Sequence, residues 1–394
     1  MFYLIFFGIL WILARMNLQR HDSKSKVVFS CISGAILVGI AGLRYETGGD
    51  WDTYALIFAD IPPLSRLFAS PAELFHQPVE EGFTLLCALV KTCGGTVQGL
   101  FFIVTAINIS LIAIASNKYT KYPAVALLGY YAILYFQLEM IYIRQATAVA
   151  LCYFALQYIP SRKIWKYLLL ILLACLFHRV AALMLPLYFV LDRKLPTWLY
   201  LTVVGLGALL MLTGIPWMRT IMLTAGQWLG ETYAEKIRIY TENALFAVTR
   251  QFSIGFFLNL AIFVVILFFR KKIEGLPYGT IMINMFALSL VCYYYCFELV
   301  EVSNRGRMLF LISLVVLLPM ILEVLPLFIE RLAGLLLIAL YCFSFSRNIF
   351  LEAPKAAAYN PYQNYIEFKI HPRPSTGKAR LEQSKQAFNQ ERTQ

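Results

Sequence analysis

Residues 99–116 read GLFFIVTAINISLIAIAS and carry no charged side chain. A helix of this length is about long enough to cross a hydrocarbon core of ~30 Å, where a single segment satisfies its backbone amides only as a helix. Similar apolar runs recur along the 394-residue chain, which is 60% hydrophobic and 14% charged, with a mean hydropathy of +0.68. These values exclude a soluble protein and predict an all-α polytopic membrane protein.

Clusters of lysine and arginine indicate which loops face the cytoplasm. They occupy residues 15–26, 118–121, 162–166, 193–194 and 270–272. Placing all of them on one side gives about twelve spans, within a range of roughly ten to fourteen, and puts the N terminus outside. We interpret residues 83–95 as re-entrant or interfacial, because a full span there would move the basic loop after Ser116 to the outside.

The predicted cytoplasmic loops account for most of the positive net charge. The chain has 34 Lys+Arg against 22 Asp+Glu, which gives +12, and the basic loops explain most of the excess, so the bilayer is an expected partner and nucleic acid is not. The first apolar run is followed by its charges instead of being preceded by them, and we read it as a retained helix. The eight cysteines lie almost entirely in apolar runs without a CxxC motif, so no structural disulfide is predicted.

The domain organisation is simple at this level. Residues 1–352 are predicted to form one transmembrane domain with long external loops at 44–79 and 215–250, and the second loop contains the amphipathic stretch TAGQWLGETYAEKIRIY. Residues 353–394 form a C-terminal segment that we expect to be disordered from about residue 372, because its end is rich in Ser, Gln and Lys. Long external loops are the natural place for substrate handling.

The charged residues outside the basic clusters gather at the external ends of the predicted spans. Those that we single out are Arg44, Glu46, Asp50, Asp52, Glu80, Glu81, Glu139, Arg144, His178, Arg179, Glu298, Glu301, Arg305 and Arg307. Charges are costly in a bilayer and persist where they pair, reach the interface or act on a substrate. Because a guanidinium forks onto phosphate oxygens, this distribution predicts an external cavity suited to a lipid-linked pyrophosphate.

Each arginine also has a simpler explanation. Arg44 follows the second predicted span, where a long side chain could merely reach the interface. Arg144 lies in an apolar window and could be paired with Glu139, although a spacing of five suits a helical pair poorly. Arg305 could serve only to anchor a helix end.

Two further residues are candidates for proton transfer. His178 lies between two apolar runs and has a side chain suited to proton transfer near neutral pH, yet a histidine so placed is often a hydrogen-bonded structural residue. Asp50 follows the turn glycines Gly48 and Gly49 and could cap the next helix. Asp50 and Asp52 also resemble a weak metal-binding DxD pair. Neighbouring tyrosines, including Tyr45 and Tyr54, could stack on sugars or belong to the aromatic belt of the membrane interface.

Several common chemistries lack their motifs. The sequence has no GxGxxG, no P-loop, no HExxH or comparable ligand set, and no GxSxG elbow. We therefore expect no cofactor, and the absent ligand set favours a metal-independent reaction.

Five short motifs follow one another along the chain between the predicted spans. They are LRYETGGDWDTY at 43–54, EEGF at 80–83, IRQATAVAL at 143–151, LFHRVAAL at 176–183 and NPYQNY at 360–365. In order and spacing the chain resembles the EpsG family of exopolysaccharide and O-antigen polymerases, the Wzy-like proteins, over residues 1 to about 366. The resemblance implies a GT-C-like polymerase architecture in which external loops form the site.

The resemblance also implies a function. It is a glycosyltransferase of the bacterial inner membrane that joins undecaprenyl-pyrophosphate-linked oligosaccharide repeat units at the periplasmic face, with a chain-length regulator and a flippase as further partners. The matching residues are Arg44, Gly49, Asp50, Tyr54, Glu81, Arg144, Gln145 and His178. Trp51 departs from the pattern, in which tyrosine or phenylalanine is more usual.

The mechanism that the resemblance implies gives separate roles to the arginines and to the group that accepts the proton. Arg44, Arg144 and Arg305 would neutralise the pyrophosphate leaving group, while Asp50 or His178 would remove the acceptor proton. Two alternatives stay open. A polysaccharide flippase or exporter would carry charges along a central path, and a glycosyltransferase using a polyprenyl-phosphate sugar would rely on the first external acids.

Overall fold

The computed structural model describes residues 1–20, 22–75, 77–226, 228, 235, 254–372 and 374–393. Helices dominate these residues, and their only β-type pairing is a single antiparallel bridge between Arg44 and Asn364. The all-α class predicted from hydropathy is confirmed. The physical reason is that a helix satisfies its own backbone and leaves an apolar exterior.

The chain divides into two compact units, Met1–Leu185 with Leu318–Gln394, and Pro186–Leu317. The first half of the chain forms α1 (Phe2–Gln19), α2 (Ser23–Gly42), α3 (Trp51–Asp60), α4 (Leu64–Ala69), α5 (Ala72–Phe75), α6 (Glu81–Thr92), α7 (Val97–Tyr119), α8 (Pro123–Tyr130), a π turn (Tyr131–Tyr135), α9 (Phe136–Leu138), α10 (Ile143–Ala155), a 3-10 turn (Leu156–Tyr158), α11 (Ile164–Cys175) and two 3-10 segments (Arg179–Met184 and Pro186–Phe189).

The second half forms α12 (Thr197–Thr213), α13 (Trp217–Gly226), α14 (Ile254–Ile273), α15 (Gly279–Tyr295), α16 (Val300–Val324), α17 (Phe328–Phe350), a 3-10 turn (Pro354–Ala356), α18 (Tyr365–Ile370) and α19 (Gly377–Thr393). Helix α16 begins in the second unit and continues into the first from Leu318.

Six helices of the described residues are long and apolar enough to cross a membrane, and a seventh span results if α12 and α13, which meet at 90°, count as one. The prediction of about twelve spans is not confirmed. Several apolar runs fold instead as shorter helices, among them Ile164–Cys175 and Gly279–Tyr295. Hydropathy alone does not show at which residue the helix within an apolar run ends.

The first unit is built around α7. Helices α2 and α10 both pack against α7, α10 also packs against α11, and α1 packs against α8 and α17. Tyrosines of the π turn are buried here, where Tyr135 donates to the Leu37 carbonyl at 2.5 Å and Tyr131 donates to the Tyr3 carbonyl at 2.9 Å. A π turn inserts one residue into the helical repeat, so it brings such side chains onto the packed face.

Helix α6 contains most of residues 83–95, the segment predicted to be re-entrant or interfacial. It has 12 residues, which at 1.5 Å per residue is about 18 Å, too short for a hydrocarbon core of ~30 Å. One face is buried, with Phe83 and Cys87 in a core cluster that also contains Tyr54. Its re-entrant or interfacial placement stays a prediction that this length supports.

In the second unit, α12 and α14 pack against α15. Gly207 of α12 allows a close approach, because a Cβ atom there would lie 2.4 Å from Tyr295 Cε2. Of the external loop predicted at 215–250, the described part contains α13, and most of the amphipathic stretch at 224–240 lies outside the described residues.

The end of the C-terminal segment, for which the sequence predicts disorder, contains a helix in the structure. Helix α19 occupies Gly377–Thr393, and Arg380 on it is only 5% exposed. Arg380 donates to the carbonyls of Glu46 at 2.9 Å and Pro361 at 2.8 Å, and to Gln363 Oε1 at 2.8 Å. These hydrogen bonds to the rest of the first unit supply the stabilisation that the polar composition of the tail does not reveal.

Candidate functional site

The turn between α2 and α3 holds the first motif. Gly48 has a φ of 110°, and a Cβ atom there would lie 2.6 Å from the Met140 carbonyl oxygen. Glycine is therefore required by both its backbone conformation and its surroundings. The adjacent Gly49 packs on Ile141, with the built Cβ position 3.2 Å from Ile141 Cγ1. This turn is thereby fixed against the loop that leads into α10.

The first and last motifs are paired through their backbones. Tyr45 N donates to the Gln363 carbonyl at 2.8 Å, and Tyr365 N donates to the Leu43 carbonyl at 2.8 Å. These bonds flank the bridge between Arg44 and Asn364. Residues more than 300 positions apart along the chain thus form one short ladder, which orients the first-motif turn.

Arg44 is 1% exposed and points inward. Its Nη1 donates to the carbonyls of Glu139 and of Ala41, the latter at 3.3 Å, and its guanidinium lies 4.4 Å from the centroid of the Phe101 ring. This placement differs from the expected reach to a pyrophosphate at the bilayer surface. The reason is that helix-end carbonyls and an aromatic face together compensate the buried cation.

Glu139 and Arg144 are not partners of one another. The buried Glu139 carboxylate accepts from Tyr130 Oη at 2.6 Å and from Asn108 Nδ2 at 3.1 Å. Arg144 pairs with Glu80 instead, at the start of α6. The pairing with Glu139 considered from the sequence is therefore wrong, because the tertiary fold offers Arg144 a carboxylate from another segment.

The Arg144–Glu80 pair lies in a polar cleft of about 200 Å³, lined also by Glu81, Arg179 and Gln77. We call it the polar cleft. Arg179 pairs with Glu81 at 3.4 Å, and Gly82 N donates to the Leu176 carbonyl at 2.8 Å, which holds the start of α6 against the end of α11. The EEGF, IRQATAVAL and LFHRVAAL motifs thereby meet at one place.

The first motif reaches the same place through Tyr54. Arg144 hydrogen-bonds to the Tyr54 hydroxyl, and the Tyr54 ring packs edge-on against Phe83 with centroids 5.8 Å apart. Burial raises the pKa of Tyr54, while Arg144 acts in the opposite direction. The hydroxyl is thus neutral near pH 7 and available as a hydrogen-bond donor.

The two ion pairs of the polar cleft differ in strength. The side chains of Arg144 and Glu80 are 26% and 14% exposed, whereas the side chain of Arg179 is 79% exposed. An exposed pair contributes ~0–1 kcal/mol, and one shielded from water is held more strongly. Arg179 can therefore leave Glu81 for an incoming anion at low cost, while Arg144 stays in place.

His178 follows α11 in an extended conformation and begins the 3-10 segment Arg179–Met184. Its Nδ1 accepts a hydrogen bond from Val180 N at 3.3 Å. A neutral imidazole that accepts at Nδ1 carries its proton on Nε2. In this tautomer Nε2 is a hydrogen-bond donor, which is the group that binds an oxygen atom.

Asp50 occupies the N-cap position of α3, but its side chain makes no capping hydrogen bond. Its charge acts on the hydroxyls of Tyr54 and Tyr359. The capping role considered from the sequence is therefore not observed. Asp52, in the first turn of α3, accepts from its neighbour Thr53 N at 2.8 Å.

The remaining predicted residues are distributed more widely. Gln145 is buried on α10. Tyr45 stacks on Phe368 with centroids 4.0 Å apart, and burial, followed by the charge of Glu46, raises its pKa. Arg305 belongs to the second unit, where it lies 3.9 Å from Glu301. In the part of the chain that the structure describes, no group of three or more His, Cys, Asp or Glu side chains is arranged to hold a metal ion.

Most of the chain matches the model of a known family. The model of the EpsG family matches residues 27–364. The chain belongs to the EpsG family. This family is related to Wzy-like polymerases, and membership supports a polymerase-type membrane function in exopolysaccharide or O-antigen synthesis. No curated protein and no solved structure matches this EpsG-family protein significantly.

Three residues that the structure makes important had no individual role assigned from the sequence. Glu80 and Arg179 stand beside Glu81 and His178, and both belong to the predicted cluster of charges. Arg380 gave no such signal, because it lies in a polar tail beyond the matched region.

Proposed function

We propose that this EpsG-family protein polymerises undecaprenyl-pyrophosphate-linked oligosaccharide repeat units at the periplasmic face of the bacterial inner membrane. The observation that carries the proposal is the polar cleft, where four of the five motifs meet around Arg144. A chain-length regulator and a flippase of the same pathway are proposed partners. The reaction class is glycosyl transfer, with a lipid pyrophosphate as the leaving group.

The proposed glycosyl transfer breaks one bond, forms another and moves one proton. The bond between the anomeric carbon of the growing chain and its pyrophosphate oxygen breaks, and the electron pair stays with the pyrophosphate. A hydroxyl oxygen of the incoming unit bonds to that anomeric carbon. Its proton passes to Asp50, whose charge acts on Tyr54, the hydrogen-bond partner of Arg144.

Arg144 and Arg179 stabilise the leaving group. Arg144 is held by Glu80 and Tyr54, so its position requires little reorganisation when negative charge develops. The exposed Arg179 exchanges the Glu81 carboxylate for a phosphate oxygen. Removing one preorganised donor of this kind costs ~10²–10³ in rate.

His178 supports the transfer as a donor in this scheme. With Nδ1 accepting from Val180 N, its Nε2–H can bind a phosphate or sugar oxygen. Arg44 acts through structure, because it is buried under the turn that carries Asp50. For Arg305 we retain the role in substrate binding predicted from the sequence, which a polymerisation assay tests.

The assay uses the purified protein in nanodiscs with the lipid-linked repeat unit extracted from a strain that lacks this polymerase. We expect a ladder of products in which each step adds one repeat unit. Arg144→Ala should reduce ladder formation ~10²-fold or more. Arg66→Ala is the matched control, because Arg66 is an exposed external arginine that pairs with Glu73 outside the polar cleft.

Several outcomes would count against the proposal. Full activity of Arg144→Ala would exclude its leaving-group role, and complete loss of activity with EDTA would exclude the metal-independent version. Addition of a single sugar from a polyprenyl-phosphate donor would favour the membrane glycosyltransferase. Transbilayer movement of the lipid without product formation would favour the flippase.

A further inference from the structure

A second cleft, of about 330 Å³, opens beside the first-motif turn. Residues of three segments line it, namely the turn with α3, the start of α7, and α18. The side chains that matter here are Tyr45, Trp51, Gln98, Phe101, Tyr365 and Phe368. We call it the aromatic cleft. Its size falls at the lower end of small-molecule sites, which span ~300–1,000 Å³.

The aromatic rings form an ordered wall. Tyr45 and Phe368 stack with an interplanar angle of 21°, and the Tyr365 ring centroid lies 6.1 Å from that of Tyr45. Phe101 is buried and carries the Arg44 guanidinium against its ring. Flat, partly apolar faces of this kind pack against the C–H faces of sugar rings, because both surfaces are apolar while their edges are polar.

Two polar groups in the wall have no hydrogen-bond partner among the described residues. They are Trp51 Nε1, a donor, and Gln98 Oε1, an acceptor, on side chains that are 7% and 9% exposed. Buried polar groups are normally satisfied, and those that are not call for an explanation such as a ligand. A hydroxyl both donates and accepts, so a polyhydroxylated ligand can satisfy both atoms after a small side-chain adjustment.

The start of α7 adds further donors. This helix has 23 residues, and its N-cap residue Thr96 makes no side-chain capping bond. The first N–H groups of a helix have no partner within it and attract oxygen atoms. Together with Trp51 Nε1 and Gln98 Oε1, these N–H groups give the cleft polar partners beside its aromatic rings.

We propose that the aromatic cleft is a glycosyl-binding subsite, which holds one sugar ring of the oligosaccharide next to the turn that carries Asp50. This inference rests on the proposed polymerase function and specifies which surface binds the oligosaccharide of the lipid-linked repeat unit. A prenyl chain is disfavoured as the occupant, because it would leave Trp51 Nε1 and Gln98 Oε1 without partners.

Binding is measured by saturation-transfer NMR with one soluble probe. The probe is the repeat-unit oligosaccharide, released by mild acid from the lipid-linked pool of a strain without the polymerase. We expect the wild-type protein to bind it, and Phe368→Ala and Gln98→Leu to bind it at least tenfold more weakly. Ile370→Ala is the matched control, because Ile370 lies on the same short helix, is exposed, and is outside the cleft.

The same variants are then tested in the nanodisc assay with the lipid-linked repeat unit. A sugar subsite predicts that Phe368→Ala raises KM at least tenfold with a smaller change in kcat, while size-exclusion profile and thermal unfolding match those of Ile370→Ala. Unchanged binding and unchanged KM in both cleft variants would overturn the inference. Displacement of the oligosaccharide by undecaprenyl phosphate would overturn it in favour of a prenyl-chain site.

The two proposals fail in distinguishable ways. If the wild-type protein forms no product ladder but the oligosaccharide binds and the cleft variants weaken it, the polymerase proposal fails and the subsite stands as a carbohydrate site. If the ladder forms and the cleft variants behave like Ile370→Ala, the subsite fails and the polymerase proposal stands.

Discussion

The guanidinium of Arg144 is paired with the carboxylate of Glu80, 64 residues earlier in the sequence. The pair joins the start of α10 to the start of α6, and Tyr54 of α3 hydrogen-bonds to the same arginine. Three segments of the first unit therefore depend on one cation. The consequence is that the positions of Glu80 and Arg144 should be coupled both in stability and in activity.

We expect Glu80→Gln to destabilise the protein by about 1–3 kcal/mol, because it leaves a shielded arginine without its counter-charge, and partial exposure keeps the loss below that of a fully buried pair. The measurement is thermal unfolding in detergent, extended to a double-mutant cycle with Arg144→Gln. A coupling energy near zero would show that the pair does not hold the cleft together.

Gly48→Ala should destabilise the first-motif turn by about 1–3 kcal/mol and reduce polymerisation, because the new Cβ would be strained at φ 110° and would meet the Met140 carbonyl. The control is Gly39→Ala on α2, where a Cβ atom has no heavy atom within 4 Å. If both variants unfold at the same temperature, the turn does not require glycine.

Arg380→Ala should loosen the first-motif turn, because three strong acceptors at Glu46, Pro361 and Gln363 lose their donor. We expect a loss of about 1–3 kcal/mol, and faster hydrogen exchange at the amides of Tyr45 and Gly48. Lys378→Ala, an exposed change on the same helix, serves as the control. Equal exchange rates in the two variants would mean that the tail does not brace the turn.

Asp50→Asn should reduce kcat by ~10²–10⁴ if the carboxylate accepts the proton, since an amide of the same shape cannot do so. His178→Gln should retain more activity than His178→Ala, because the amide still donates to a substrate oxygen. Rates are read from the product ladder under single-turnover conditions. Full activity of Asp50→Asn would transfer the base role to another group, and equal loss in both His178 variants would argue against donation.

The sequence predicted which residues belong to the candidate site better than it predicted which of them contact one another. His178, Asp50 and Arg144 stand out because charged groups at the ends of apolar runs are costly unless they have a task. Their partners could not be predicted, because pairing depends on which loops meet in space. Glu139 was the nearest acid in the sequence to Arg144, and it is committed to Tyr130 and Asn108.

The number of spans shows a similar limit. An apolar run such as Ile164–Cys175 looks like a membrane span by composition, yet its helix is short and is followed by a break at His178. Hydropathy gives the extent of an apolar run but not the residue at which its helix ends. Only the fold shows where that helix ends.

The sequence by itself determined that this protein is helical and embedded in a membrane, and which motifs between the apolar runs carry its polar groups. These properties follow from local composition, since each apolar run must satisfy its own backbone in hydrocarbon. The tertiary structure alone decided that Arg44 is buried beneath the turn, that Glu80 holds Arg144, and that the polar tail bearing Arg380 returns to brace the first motif. Each of these depends on contacts between segments far apart along the chain, and such contacts leave no local pattern in the sequence.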